Sequence, residues 1–321
     1  MPTEGKAAIP AGSPAVSWIE VSEDEAGQRI DNYLLARLKG VPKTHIYRIL
    51  RSGEVRINSR RVAASDRVAG GDRIRIPPLR LPERAEEIPA PHFKLPILFE
   101  DDAFLVIDKP AGLAVHGGSG VAHGVIESLR SMRPEARFLE LAHRLDRDTS
   151  GLLMVAKKRS ALLALHEMMR TRAMDKRYLV GVAGRFRNVL QRVNEPLAKR
   201  VTGAGEKRVS VSSAGQEAHT VFRRLARGAE FSLLEAELIT GRTHQIRVHL
   251  AHLGHPVLGD DKYGGYELNH RLRREGLKRM FLHAAALAFE HPLTRAPMNV
   301  AAPLPRELEA FRARHMPDAE P

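Results

Sequence analysis

The chain of 321 residues is 43% hydrophobic and carries 51 Lys and Arg against 38 Asp and Glu, a net charge of +13. This is enough apolar material for a sizeable core plus a smaller module, and the charge favours a polyanionic partner without choosing among RNA, DNA and an anionic membrane. The absence of cysteine excludes disulfides, thiolate nucleophiles, Cys-based zinc sites and iron–sulfur clusters.

Residues 1–27 begin with a stretch rich in Pro, Ala and Gly and read as a flexible N-terminal tail. They show neither a basic cluster followed by an apolar secretory core nor, later, an apolar run of bilayer length, so a soluble cytoplasmic protein with no membrane partner is expected. From Arg29 the pattern changes. Ile30, Leu34 and Leu38 recur at four-residue spacing on one helical stripe, and PKTHIYRILRSG predicts a second helix ended by Gly53. Val55 and Ile57 alternate with polar residues up to an NSRR turn, and a Gly-Gly-Asp turn feeds a strand with Ile74 and Ile76 inward. Residues 29–80 hold thirteen Lys or Arg against four Asp or Glu. Lys43 and the arginines at 48, 51, 56, 60, 61, 73 and 75 are therefore candidate phosphate contacts.

Residues 81–97, with several prolines and no amphipathic period, read as a linker. Beyond it, Phe104–Ile107 predicts a buried strand stopped by Lys109-Pro110 and the glycine-rich AVHGGSG loop, which lacks the spacing of a nucleotide-binding P-loop. HRLDRDTS precedes a second apolar strand, GLLMVAK; SALLALHEMMRTRA has helical spacing; and KRYLVGVAG, HTVFRRL and FSLLEAELI alternate as strands. THQIRVHLAHLG predicts a helix and LHAAALAFEHP a late strand. Strands outnumber helices without regular alternation, so the expected class is α+β, a small N-terminal module plus a larger domain over 98–310 built on a mixed, mainly antiparallel sheet, with 311–321 as a C-terminal tail.

Several polar clusters compete for a chemical role. His244, His249, His252 and His255 with Asp260 and Asp261 offer donors for a metal, but no HExxH or compact ligand pair fixes a coordination set, and no metal is expected. Ser150, His143 and Asp148 lie close in sequence, yet there is no GxSxG elbow to activate a serine. Asp146, between Arg144 and Arg147 and just before a buried strand, is the better-placed carboxylate, since a buried arginine could keep it ionised. A turn-capping or ion-pairing aspartate fits the same residues.

The stretch QRIDNYLLARLKGVPKTHIYRILRSGEVRINSRRVAASDRVAGGDRIRIPP resembles an S4 domain, which presents a basic helical face to structured RNA; that resemblance selects RNA among the polyanions. HRLDRDTSGLLMVAK, DKRYLVGVAG, TGRTHQIRVHLAHLGHPVLGDD and LHAAALAFEHP resemble, in order, the segments of the bacterial family of RNA pseudouridine synthases that modifies ribosomal and transfer RNA, and most closely its branch acting at several uridines of large-subunit (23S) ribosomal RNA or its precursor. The resemblance implies Asp146 as catalytic aspartate, Tyr178 as active-site tyrosine and Arg247 as the arginine paired with Asp146. It also implies Arg144 as the residue entering the RNA helix where the base leaves, and Leu282 as an apolar residue of the uracil pocket. It further implies rRNA modification, a reaction whose steps require no cofactor; a monomer with no obligate protein partner is the default expectation.

Overall fold

In the computed structural model, residues 15–317 are described apart from 39–40, 80–89, 119–120 and 202–206. The chain divides into two compact units, Met1–Pro89 and Ala90–Pro321.

In the first unit, β1 (Ser17–Glu20) precedes α1 (Ile30–Arg37) and α2 (Lys43–Arg51), followed by β2 (Arg56–Ile57), β3 (Arg60–Arg61) and β4 (Arg73–Ile76). The strands form an antiparallel sheet in the order β1-β4-β2-β3. Ile30, Leu34, Ile46, Ile49, Ile74 and Ile76 are buried together, so the predicted helical stripe and the alternating strand meet in one small core. Gly53, at φ +74°, turns the chain out of α2 as expected. Asn58 and Ser59 both take positive φ between β2 and β3, the conformation of a tight hairpin turn.

The expected tail over 1–27 is shorter than predicted. Ile19 and Val21 alternate with exposed Trp18 and Glu20, and their burial fixes β1 against β4. Residues 1–14 lie outside the described residues.

The second unit is built on a ten-stranded sheet. It opens with β5 (Ile97–Glu100) and β6 (Phe104–Lys109), then α3 (Val125–Met132), β7 (Glu140–Leu141), β8 (Ser150–Ala156), α4 (Arg159–Arg170) and β9 (Asp175–Ala183). There follow β10 (Leu190–Val193), the paired strands β11 (Leu197–Val201) and β12 (Lys207–Val211), β13 (Thr220–Arg227) and β14 (Phe231–Leu238). The chain then runs through α5 (Gln245–His252), α6 (Tyr266–Arg274), β15 (Leu282–Glu290), β16 (Pro297–Ala301) and α7 (Arg306–His315). The main path is β10-β13-β14-β9-β15-β8-β6-β5, with β16 added to β15 and β7 to β8.

Every pairing in this sheet is antiparallel except β8 with β15. That parallel pair brings the entry of β8, after HRLDRDT, beside the entry of β15. Gly151 sits at the crossing with φ +106°, and a Cβ there would collide with the Ala284 backbone, so only glycine lets the strands approach. All of β8 is buried, as its unbroken apolar run requires for a central strand.

Two further boundaries differ from expectation. In the linker predicted over 81–97, residues 81–89 lie outside the described residues, but Phe93 N donates to Ser128 Oγ (3.0 Å), Asp108 N to Pro96 O (2.9 Å), and Ile97 begins β5. The second unit also continues past 310. Leu308, Phe311 and Met316 are buried through α7, and Phe311 stacks on His315 and packs on Phe231, so the predicted tail is in part a core-forming helix. Residues 318–321 lie outside the described residues.

Candidate active site

A cavity of about 2150 Å³ in the second unit is lined by Arg144, Asp146, Tyr178, His244 and Arg247, among others. Asp146 lies in the loop between β7 and β8, which is anchored on both sides. His143 Nε2 accepts from Met154 N (3.1 Å), and burial, with the nearby Lys176 charge, pushes the imidazole down to about 4, so it is neutral and free to accept. On the other side the fully buried Lys109 donates to Arg147 O (3.0 Å) as well as to Pro110 O and Leu113 O (both 2.8 Å). Leu145 buries its side chain between them. Asp146 is therefore held on a short segment tied at three points, each a backbone or core contact.

Arg247 reaches this loop from α5. Its Nη1 donates to Asp146 Oδ2 (2.9 Å), while Nε and Nη2 form a two-pronged contact with Asp260 Oδ2 (2.7 Å) and Oδ1 (2.8 Å). Burial works against the charged guanidinium, but the two carboxylates outweigh it and leave its pKa raised. Burial likewise pushes the Asp260 carboxyl up; hydrogen bonds and charge from Arg247, with the amides of Lys262 and Tyr263, prevail and hold it below its ordinary value. The expected Asp146–Arg247 pair is present, but the bidentate half of the guanidinium goes to Asp260, which the sequence offered only as a metal-ligand candidate. Among the described residues no group of three or more His, Cys, Asp or Glu has the geometry for a metal ion.

His244 faces the other oxygen of Asp146, with Nε2 3.8 Å from Oδ1. It caps the N-terminus of α5 in the left-handed conformation (φ 55°), held there by the buried Gln245, which accepts from Thr240 Oγ1 and Arg242 N and donates to His219 O and Thr220 Oγ1. Tyr263 Oη accepts from Val209 N (3.1 Å) and lies 2.8 Å from His244 Nδ1; in the tautomer where the hydroxyl donates to Nδ1, the imidazole proton sits on Nε2, toward Asp146. Burial lowers the His244 pKa, with the Asp146 charge acting the other way. Tyr263 also lies beneath Arg247, 5.1 Å from guanidinium carbon to ring centroid. The sequence offered His244 only as a metal-ligand candidate and did not single out Tyr263. The signal was their place in RTHQIR and DDKYG, which carries no spacing that joins them.

Tyr178 lies on β9 between Ala236 of β14 and Ala284 of β15, small neighbours on both flanking strands that let its ring reach the cavity. It is 8% exposed, and burial, reinforced by the Asp146 charge, raises the phenol pKa, so the hydroxyl stays protonated at neutral pH. Arg144 is exposed and lines the cavity. Leu282 differs from its expected place. Paired with Val180 and 3% exposed, it belongs to the core cluster that also holds Tyr178, and it is not among the residues lining the cavity. Asp148 is ion-paired with Arg147 (3.3 Å). Ser150 is buried, accepts from Arg279 Nη2 (2.7 Å) and donates to His283 Nδ1 (2.9 Å), so it has no contact with His143.

The basic candidates of the first unit fall on adjoining elements. Arg48 and Arg51 end α2, Lys43 lies over the Tyr47 ring, and Arg56, Arg60 and Arg61 are exposed on β2 and β3.

Residues 103–252 match the family model described as RNA pseudouridylate synthase, and residues 28–74 match the S4 domain. The chain is 53% identical over 302 residues to ribosomal large subunit pseudouridine synthase C of Yersinia pestis, covering 92% of this chain and 94% of the relative. It is 51% identical over 305 residues to the protein of the same name from Escherichia coli (strain K12), covering 92% and 96%. Among solved structures, human RNA pseudouridylate synthase domain containing 4 superposes with a TM-score of 0.56 at 27% identity, over 68% of this chain and 92% of that one.

Proposed function

Because the chain belongs to the RNA pseudouridine synthase family, with an N-terminal S4 domain, we propose that it isomerises several specific uridines of large-subunit (23S) ribosomal RNA with Asp146 as the catalytic carboxylate. The substrate is inferred from the names of relatives at about half identity over nearly their whole length. The observation that carries the catalytic assignment is Asp146 itself, held rigidly in the cavity with one oxygen on Arg247 and the other toward His244.

The reaction breaks the bond from ribose C1′ to uracil N1, turns the base, and joins C5 to C1′; the C5 proton is lost and N1 gains one, so no atom is added overall. A base inside folded RNA must first leave its stack, at about a few kcal/mol and less for a looped nucleotide. Arg144, exposed beside the cavity, would fill the space left by the base. Asp146 acts either as nucleophile at C1′ or as base toward the C2′ proton; both routes use a carboxylate oxygen not already taken by Arg247, namely Oδ1. Arg247, fixed by Asp260, orients that oxygen and balances its charge. Tyr178 places its ring against uracil. Its raised pKa disfavours the phenolate, so the ring and the neutral hydroxyl account for its contribution better than a role as base for the C5 proton.

Turnover is counted by release of hydrogen label from C5 of large-subunit rRNA, with RNA binding measured in parallel. The wild type releases label, and Asp146→Asn binds with similar affinity and releases none. A wild-type chain that binds this RNA without releasing label would leave it an RNA-binding assembly factor and overturn the proposal.

A further inference from the structure

We infer that the outer face of the first unit's sheet is a binding platform for single-stranded RNA, with Trp18 as the stacking surface and Arg56, Arg61 and Arg75 as phosphate contacts. This rests on the proposed RNA substrate and adds to it a site distinct from a helical face.

The register puts these side chains in one row. Trp18 on β1 is opposite Arg75 on β4, Arg75 is opposite Arg56 on β2, and Arg56 is opposite Arg61 on β3. Residues directly opposite on antiparallel strands share a face, and with strands about 4.8 Å apart the row spans roughly 14 Å. The alternate residues Ile19, Ile57 and Ile74 point the other way, into or against the core. Three arginines side by side across a sheet repel one another, an arrangement that local stability alone does not favour.

The arginines are nevertheless held in place. Arg61 Nη2, Arg56 Nε and Arg75 Nη1 donate to the carbonyls of Ser52, Gly53 and Glu54, at 2.9, 3.3 and 2.7 Å. These three consecutive carbonyls lie in the turn that follows α2. The contacts orient the guanidiniums, but the carbonyls carry no formal charge, so the row remains cationic, and each guanidinium has further N–H donors. Guanidiniums oriented in this way suit the phosphates of an RNA backbone.

Trp18 supplies the second element. It is the only tryptophan in the chain, yet it is 47% exposed, and the Arg73 guanidinium lies over its ring at 5.2 Å. An indole beside guanidiniums is the arrangement by which unpaired bases are stacked while the backbone is tracked electrostatically. A duplex presents no free base face, so the platform selects single strands, such as the loops flanking a target uridine.

Because Trp18 is the sole tryptophan, its fluorescence reports this site in the full-length protein. Titration with a short unstructured oligouridylate should quench it, and a blunt RNA duplex of the same length should not. Trp18→Ala should weaken oligouridylate binding about tenfold, as loss of one stacked base implies, whereas Trp18→Phe should retain most of it. Arg56→Ala and Arg75→Ala should each lower the slope of log affinity against log salt by about one. The inference is overturned if RNA saturates the protein without changing Trp18 fluorescence, or if Trp18→Ala binds as the wild type while Lys43, Arg48 and Arg51 variants do not. Label release by the wild type separates the two proposals. Turnover with a silent Trp18 sinks only the platform, and a quenched Trp18 without turnover sinks only the activity.

Discussion

Asp260→Asn tests whether Arg247 is held from behind. Four N–H groups converge on the Asp260 carboxylate: Arg247 Nε on Oδ2, and Arg247 Nη2, Lys262 N and Tyr263 N on Oδ1. The nearly isosteric amide supplies one oxygen and one NH2. With the oxygen at the Oδ1 position three bonds persist, but the NH2 then faces Arg247 Nε, donor against donor, where 2.7 Å now separates donor from acceptor. One charge-assisted bond is lost, and a guanidinium that is nine-tenths buried keeps only Asp146 as counter-charge. Breaking a buried pair in this way costs about 3–5 kcal/mol. For a domain of this size, about 3 kcal/mol lowers the melting temperature by roughly 6–12 °C. The guanidinium also swings toward Asp146, and a displacement of about 1 Å at the carboxylate proposed to react lowers kcat roughly a hundredfold. Thermal melts and label-release kinetics measure both effects. A melting temperature within about 2 °C of wild type, with kcat within about twofold, would refute the view that Asp260 positions Arg247.

Three further outcomes follow from the same geometry. Lys109→Met leaves the carbonyls of Pro110, Leu113 and Arg147 without their donor, so it should destabilise the fold by about 2–4 kcal/mol and lower kcat by loosening the Asp146 loop; unchanged urea melts and kcat would contradict this. Burial holds the His283 imidazole down at about 4 against 6.5 for an exposed group. Between those values the unfolded chain binds a proton that the folded one does not, so this contribution to stability is complete above about pH 6.5 and is lost as pH falls toward about 4, by up to about 3 kcal/mol. His283→Gln should flatten the melting-temperature profile in that window, and an equally steep profile would refute the assignment. Tyr178→Phe keeps the ring and should retain measurable label release while Tyr178→Ala loses it; equal loss in both would mean that the hydroxyl carries the chemistry.

Local patterns that report burial were legible in the sequence. The unbroken apolar runs became the central strands β6 and β8, and the Ile30-Leu34-Leu38 stripe became the core side of α1. Legibility failed where a short pattern had few residues to speak for it. Four residues of alternation in β1 lay within a stretch read as tail, and Leu308, Phe311 and Met316 recur at a spacing easily lost among the charges of RELEAFRARHM. The S4 resemblance, drawn from residues 28 onward, could not include β1. At the site, Asp146, Tyr178 and Arg247 became readable through the ordered motifs, whereas their supports depend on tertiary approach. Asp260 is thirteen residues from Arg247, Lys109 thirty-eight from Arg147, and His244 meets Asp146 only because α5 packs against the loop before β8. For Leu282 the motif position was plain, whereas its burial in the core cluster comes from the pairing of β15 with β9, which no local pattern reports.

The central claim is that Asp146 performs the isomerisation, and site-resolved pseudouridine mapping of total RNA tests it most directly. A strain lacking the gene is compared with the same strain expressing wild type or Asp146→Asn at equal levels. Specific large-subunit rRNA signals should vanish in the deletion, return with wild type and stay absent with Asp146→Asn. Restoration of those signals by Asp146→Asn would contradict the account.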